Sequence, residues 1–252
     1  DGTDTTTAYD SDIMRGIDFV LAAKAAGANI RVVNMSFTGW SATNANEPKI
    51  EALSDKGIIV VIAAGNDFQD IDYPTGKLRG LKPYPACSRY ANTIAVGAAG
   101  QKSDGTESRA EFSNYSSSGK WVDIFAPGDD ILSTCRYKEL INEGDNFDST
   151  GYVKIGGTSM AAPMVSGTAA LLCSMYPEKT ATEIKAMILN GANPNILKSG
   201  YSAYGRIDAY NAAFNVTPEP LAGDGGGCAV GFAAAALFAA LPLLIRRHRK
   251  GK

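Results

Sequence analysis

The chain is 252 residues long, 45% hydrophobic and 20% charged, which is enough apolar content to bury one substantial core. Residues 246–252 carry five of the 24 Lys and Arg and no acid, leaving 19 basic against 26 acidic residues elsewhere; so acidic a body argues against nucleic acid as a partner. The four cysteines (Cys87, Cys135, Cys173, Cys228) form no C-x-x-C pair and the single histidine, His248, sits in the basic tail, which gives no support to a zinc site of usual composition.

In chain order, residues 1–10 are polar and rich in Thr and Asp, with neither a start methionine nor a signal peptide; the chain is expected to be cut from something longer. Ser11 or Asp12 caps a first helix with Ile13, Ile17, Val20 and Leu21 on one face, ending near Gly27. Residues 30–36 (I-R-V-V-N-M-S) are a short β-branched run and read as a buried strand. Residues 48–56 make a second helix, stopped by Gly57. Residues 58–64 (I-I-V-V-I-A-A) are almost continuously apolar, as expected of a strand in a parallel sheet covered on both faces. Residues 93–98 and 122–126 read as further strands. Thr180-Ala181-Thr182-Glu183 is a capping box opening a helix through Ala192, and Gly205-Arg206-Ile207-Asp208-Ala209 closes the globular part. Strands alternating with helices, without internal repeat, imply an α/β layered fold with a mostly parallel sheet.

The chemically suggestive stretch is Gly156-Gly157-Thr158-Ser159 and the apolar run after it. Two glycines and a threonine stop any regular element; then Ala161, Ala162, Val165, Ala169, Leu172 and Tyr176 recur at helical spacing, so the run reads as a buried helix. Pro163 falls early, where a missing N–H costs little because first-turn donors lack intrahelical partners. Cys173, on the same helix, is plain core. Ser159 thus sits at a helix N-terminus, where unpaired N–H groups and the helix dipole favour an anion. Acyl transfer needs such a setting: a hydroxyl nucleophile beside donors for a developing oxyanion. The plainer reading makes Ser159 an N-cap only. The ordered string G-T-S-M-A-A-P then M-V-S-G-T-A-A-L-L, however, closely resembles the serine segment of the subtilisin-like serine proteases, the subtilases. S-D-I-M-R-G-I-D, V-V-N-M-S, V-V-I-A-A-G-N, I-A-V-G-A, D-I-F-A-P-G-D-D-I-L-S-T and Y-G-R-I-D-A also recur in that family in this order, so the resemblance runs from about Ser11 to Phe214. Met164 stands where the family usually has histidine, at what is expected to be a packing position.

The resemblance implies a three-layer subtilisin-like fold over residues 1–215, incomplete at the N-terminus, and a serine endopeptidase working through an acyl-enzyme on protein or peptide substrates. Ser159 is the implied nucleophile. Asn66 follows the strand at 58–64 at its carboxyl end, the edge where open α/β sheets bind ligands. By resemblance its side-chain amide donates to the oxyanion together with the Ser159 backbone N–H; as a bare Gly-Asn pair it would be a turn. Ser36, Phe37, Thr38 and Gly39 resemble the substrate-binding segment, which adds an extended peptide to a strand edge. Ala63, Ala64 and Gly65 are implied as the facing wall of the pocket for the side chain preceding the scissile bond, where such small residues suit a large apolar or aromatic side chain, and Gly157 and Thr158 are grouped with them. Phe37 replaces a smaller aliphatic residue and Thr38 replaces glycine, and a β-branched residue there narrows the pocket; the cleavage preference stays open.

A base for Ser159 and a carboxylate to orient it are missing. The family order is Asp, His, Ser, so both motifs are expected before Asp1. No D-[ST]-G or H-G-T-H motif occurs, His248 lies in the cationic tail, and Asp129 and Asp130 belong to a loop signature. These residues are therefore expected to hydrolyse peptides negligibly alone, the missing N-terminal half of the domain being a required partner. No cofactor is implied; many subtilases bind Ca²⁺, but no acidic ligand loop stands out and metal is unassigned. Cys87 and Cys135 are a candidate disulfide in an exported protein.

Residues 216–227 (V-T-P-E-P-L-A-G-D-G-G-G) read as a linker. Residues 228–245 are 18 uncharged residues followed by Arg246-Arg247-His248-Arg249-Lys250, just long enough for one transmembrane helix with its basic end cytoplasmic and the body outside. The pattern resembles bacterial C-terminal sorting segments of the Synergist-type, Gly-Gly-Gly-Cys class, which implies cleavage near Cys228; a permanent anchor is the alternative. The leading expectation is an exported, surface-anchored endopeptidase, and the second a non-catalytic surface module on a subtilase scaffold. An α/β-hydrolase esterase is excluded locally, because its elbow wants G-x-S-x-G and Met160-Ala161 follow the serine.

Overall fold

The apolar run at 58–64 forms the middle of the molecule. The computed structural model describes residues 10–134, 146–147 and 151–215. In order these form α1 (Asp10–Ala25), β1 (Val32–Met35), β2 (Gly39–Ser41), α2 (Glu47–Asp55), β3 (Ile59–Ala63), β4 (Lys82–Tyr84), β5 (Thr93–Gln101), β6 (Glu107–Arg109), β7 (Ile124–Pro127), β8 (Ile131–Thr134), β9 (Asn146–Phe147), β10 (Tyr152–Ile155), α3 (Thr158–Met175), α4 (Ala181–Asn190) and α5 (Ala209–Phe214). β1, β3, β5 and β7 are parallel neighbours in that order, and β6 runs antiparallel to β5. Ala99 pairs with Arg109 on one edge of β5 and with Pro127 on the other. The fold is α/β, with a mixed, mostly parallel sheet.

Side-chain alternation explains the layers. Ile59, Val61 and Ala63 join a cluster with Ala161, Val165 and Leu172 of α3 and Ile184 and Ile188 of α4. Their neighbours Ile58, Val60 and Ile62 join Ile17 of α1 and Ile50 and Leu53 of α2. A strand flanked on both faces must be apolar at every position, and all five residues of β3 are buried. Helix α3 crosses the sheet on small residues: Ala161, Ala162, Val165 and Ala169 are fully buried, together with Leu172. The capping box is present, Thr180 Oγ1 accepting from Glu183 N while the Glu183 carboxylate accepts from Thr180 N.

Several expectations change. Ser11 and Asp12, expected as caps, lie inside α1, and in β1 only Met35 is buried. Pro163 is the sixth residue of α3, not in its first turn, so its missing N–H does deprive the Ser159 carbonyl of an i+4 partner. The strand expected at 122–126 starts at Ile124; before it, Asp123 is buried, its carboxylate accepting from Ala95 N and gripping Arg89 with two hydrogen bonds of 2.7 and 2.8 Å. Met164 is 40% exposed, so it packs little. No helix among the described residues is long and apolar enough to cross a membrane; the linker 216–227, the expected span at 228–245, Cys228 and the basic end all lie outside the described residues. Cys87 is buried, but its candidate partner Cys135 is also outside them.

Leu172 is fully buried between helix and sheet. Leu172→Ala is expected to lower unfolding stability by about 2–5 kcal/mol through lost burial and a residual cavity, read as a shifted urea midpoint with unchanged slope.

Candidate active site

Three chain segments meet at the carboxyl ends of β1 and β3. The first is the start of α3. Gly157 is its N-cap, and Gly157 N donates to Gly128 O at 2.7 Å. A β-carbon on Gly128 would lie 2.7 Å from Ala98 Cβ and 2.9 Å from Ala161 Cβ, so only glycine lets β7 approach the helix this closely. Ser159 is the second helical residue and half-buried. Its N–H is among the first-turn amides that no carbonyl four residues back can satisfy.

The second segment is the turn after β3. Gly65 has φ +100°, and a β-carbon there would sit 2.5 Å from Asn114 Nδ2 and 2.9 Å from Thr38 Cγ2, so conformation and space both require glycine. Asn66 follows, exposed to solvent. Its Oδ1 accepts from Thr158 N and from Thr158 Oγ1, both at 2.9 Å, and Thr158 Oγ1 in turn accepts from Gly65 N at 3.1 Å. With two donors on the carbonyl side, the amide orientation is fixed and Nδ2 is turned away from Thr158. The point where a β-carbon of Gly157 would sit is 3.5 Å from Asn66 Nδ2 and 3.6 Å from Ser159 N. Two donors 93 residues apart in sequence thus face one point, which Met160 Sδ also approaches to 3.4 Å.

Asn114 braces this turn, and sequence reading missed it. It is fully buried; Oδ1 accepts from Asp67 N and Gln69 N, each at 3.0 Å, while Nδ2 donates to Ala64 O and Asp67 Oδ2, each at 3.0 Å. The only signal was an amide in F-S-N-Y-S, which any surface loop could carry.

The third segment leaves β1. Ser159 Oγ donates to Ser36 O at 3.0 Å and Ser36 Oγ donates to Ser159 O at 2.8 Å. Thr38 Oγ1 donates to Tyr84 O at 3.0 Å, which turns its methyl against Gly65. Ala63 and Ala64 lie beneath, both buried. Phe37 packs with the α1/α2 side of the core, and Gly39 opens β2 opposite Tyr84. Trp40 Nε1 donates to Asp67 Oδ2 at 2.7 Å, tying β2 to the turn after β3. Of the sequence-predicted site residues, Ser36, Asn66, Gly157 and Thr158 adjoin Ser159 or its neighbours directly, Thr38 adjoins Gly65, and Phe37 is turned to the α1/α2 side.

Such an arrangement suits attack by a hydroxyl on a carbonyl whose oxygen is received by two N–H donors. Burial pushes the Cys87 thiol up to about 12, so as a thiol it is protonated at neutral pH and no rival nucleophile. The sole histidine, His248, is outside the described residues. Among the described residues no group of three or more His, Cys, Asp or Glu could hold a metal ion.

The architecture has counterparts among solved structures. The prenylagaramide maturation protease PagA matches with a TM-score of 0.60 at 24% identity, covering 84% of this chain and 69% of that one; that likeness shows the fold alone. The self-cleaved protease domain of PatA matches with a TM-score of 0.57 at 26% identity over 80% and 66% of the two chains. Residues 2–213 match the model of Peptidase_S8, the Subtilase family, and the chain belongs to that family. An extracellular serine proteinase of Thermus sp. (strain Rt41A) is 34% identical over 75% of this chain and 38% of its own length. Subtilisin DY of Bacillus licheniformis is 33% identical over 81% of this chain and 62% of its own. The chain therefore spans between about two fifths and three fifths of these relatives.

Replacing Asn114 by Ala strips the acceptor from two turn amides. The expected result is a loss of about 1–3 kcal/mol and faster hydrogen exchange at Asp67 and Gln69, with β5 protection keeping pace only with the global change.

Proposed function

We propose that this chain is the nucleophile-bearing portion of an exported serine endopeptidase. The observation that carries the reading is the Thr158 stitch, which brings Asn66 Nδ2 and Ser159 N to within 3.5 and 3.6 Å of one point, with Ser159 half-buried beside it. Ser159 Oγ attacks the scissile carbonyl carbon while its proton passes to a base supplied from outside these residues. The carbonyl oxygen, now negative, takes hydrogen bonds from Asn66 Nδ2 and Ser159 N–H. Collapse expels the amine, protonated by the base, and leaves an acyl-enzyme that water hydrolyses. The base and its carboxylate belong to the N-terminal part of the domain; β1, at the rim of the sheet, is where strands bearing them would add. The extracellular Thermus relative supports export, and the tail at 228–252 would tether the body to the membrane until or unless it is cut at Cys228. No cofactor is required, and calcium is left unassigned.

The test uses the protein with its upstream region. An active-site fluorophosphonate is expected to label Ser159 and to leave Ser159→Ala unlabelled, while the 252 residues alone turn over peptide negligibly. Asn66→Ala is expected to lower kcat by roughly 10²–10³ with KM nearly unchanged, a magnitude taken from the loss of this donor in subtilisin itself. Absence of label at Ser159 in the longer protein would instead favour a binding module on the same scaffold.

The same reading gives the cleft a preference for small side chains before the scissile bond. The Thr38 methyl rests against Gly65 and its hydroxyl is anchored on Tyr84 O, so it cannot swing aside freely. Thr38→Gly is expected to raise kcat/KM for a large apolar residue relative to alanine by at least about tenfold, the worth of a methyl or two in such a pocket; an unchanged ratio in a peptide series would refute the preference.

A further inference from the structure

The two contacts between Ser36 and Ser159 differ in what they can do. Ser159 Oγ has one proton, so it cannot donate to Ser36 O and to a base at once. Its bond to Ser36 O, 3.0 Å long, must open when the base engages. The reverse bond, Ser36 Oγ to Ser159 O at 2.8 Å, has no such competitor.

That reverse bond answers a deficit in the helix. An amide at residue 163 would normally satisfy the Ser159 carbonyl, and proline has none. Ser36 fills the vacancy from the connection just after β1, 123 residues away. Its hydroxyl is itself aimed: Asn34 Nδ2 donates to Ser36 Oγ at 2.8 Å, and Asn34 Oδ1 lies 2.8 Å from Ser166 Oγ, whose single proton is shared between it and Ala162 O at 3.1 Å. Ser166 lies two turns further along α3. The network therefore leaves the helix at Ser166, crosses β1 through Asn34 and Ser36, and returns to the helix at Ser159.

We propose that the Ser36 hydroxyl is a positioning residue for the Ser159 nucleophile, holding the Ser159 carbonyl where Pro163 has left the first turn of α3 without its own restraint, with Asn34 orienting the hydroxyl. This rests on the protease reading of the same site. Ser36 Oγ touches no reacting atom; it fixes the peptide unit that leaves Ser159 Cα toward Met160, one bond from the carbon that bears the nucleophile and its N–H donor. A displacement of the nucleophile by a fraction of an ångström is costly, since misplacements near 1 Å cost about 10²-fold.

The test uses the full protein with its base and measures the fluorophosphonate labelling rate at Ser159 together with kcat and KM on a peptide. Ser36→Thr and Ser36→Val differ in a hydroxyl at nearly equal shape. The valine variant is expected to label and turn over about tenfold to a hundredfold more slowly than the threonine variant, with KM within about twofold. Ser36→Ala is expected to be slow likewise, and Pro163→Ala, which returns an amide to the Ser159 carbonyl, is expected to recover much of that loss in the double variant. A packing role for Ser36 predicts no such rescue. Threonine and valine variants that label equally fast overturn the proposal, as does a soluble, folded double variant no faster than Ser36→Ala. A wild-type protein that takes up no label overturns the protease reading and this proposal with it; a labelled wild type with indifferent Ser36 variants overturns this proposal alone.

Discussion

Everything at the candidate site depends on how the turn after β3 is joined to the start of α3. Thr158 N and Oγ1 both donate to Asn66 Oδ1, and Gly65 N donates back to Thr158 Oγ1. Three neutral hydrogen bonds contribute roughly 1 kcal/mol each at best, little beside the burial of β3 and α3. Their effect is directional. They decide which end of the Asn66 amide faces the point it shares with Ser159 N, and they fix the distance from that amide to Ser159.

The sheet and helix come this close because the residues between them are small. Alanines at 161, 162 and 169 let α3 lie near β3 and β5, and Gly128 lets β7 reach the helix start without collision. The fit has a cost within the helix. Pro163 interrupts the backbone ladder one turn after the serine, and the lost bond is recovered from outside by a hydroxyl on the neighbouring strand connection. Helix geometry at the nucleophile is therefore a tertiary property, shared between α3 and the end of β1.

What could be read from residues alone follows from periodicity and from dense motifs. The run at 58–64 is apolar at every position, which only a strand with two covered faces demands, and Ile59/Ile58 alternation bears this out. The capping box at Thr180 is a local pattern with a local cause. The serine string and A-A-G-N carried the family because their order is long. Asn114 was invisible, since a buried amide that organises a turn looks like any loop asparagine until its four partners are placed. Phe37 looked like a cleft residue by its neighbours in sequence, but side chains alternate along an extended segment, and its ring goes to the α1/α2 side. Pro163 was misjudged by counting from the serine rather than from the helix start. Asp123 keeps a backbone bond to Ala95 O but lies outside β7, and its carboxylate takes Ala95 N.

The rim position of β1 has a consequence for the behaviour of the molecule. Among the described residues β1 pairs with β3 on one side and with nothing on the other, and such a border offers a row of amides and carbonyls to any extended chain that arrives. Because Ser36 is the next residue after β1, whatever zips onto that border pulls on the connection that touches the serine. Under the proposed function, strands from an upstream portion and a second copy of this polypeptide would compete for that one adhesive seam.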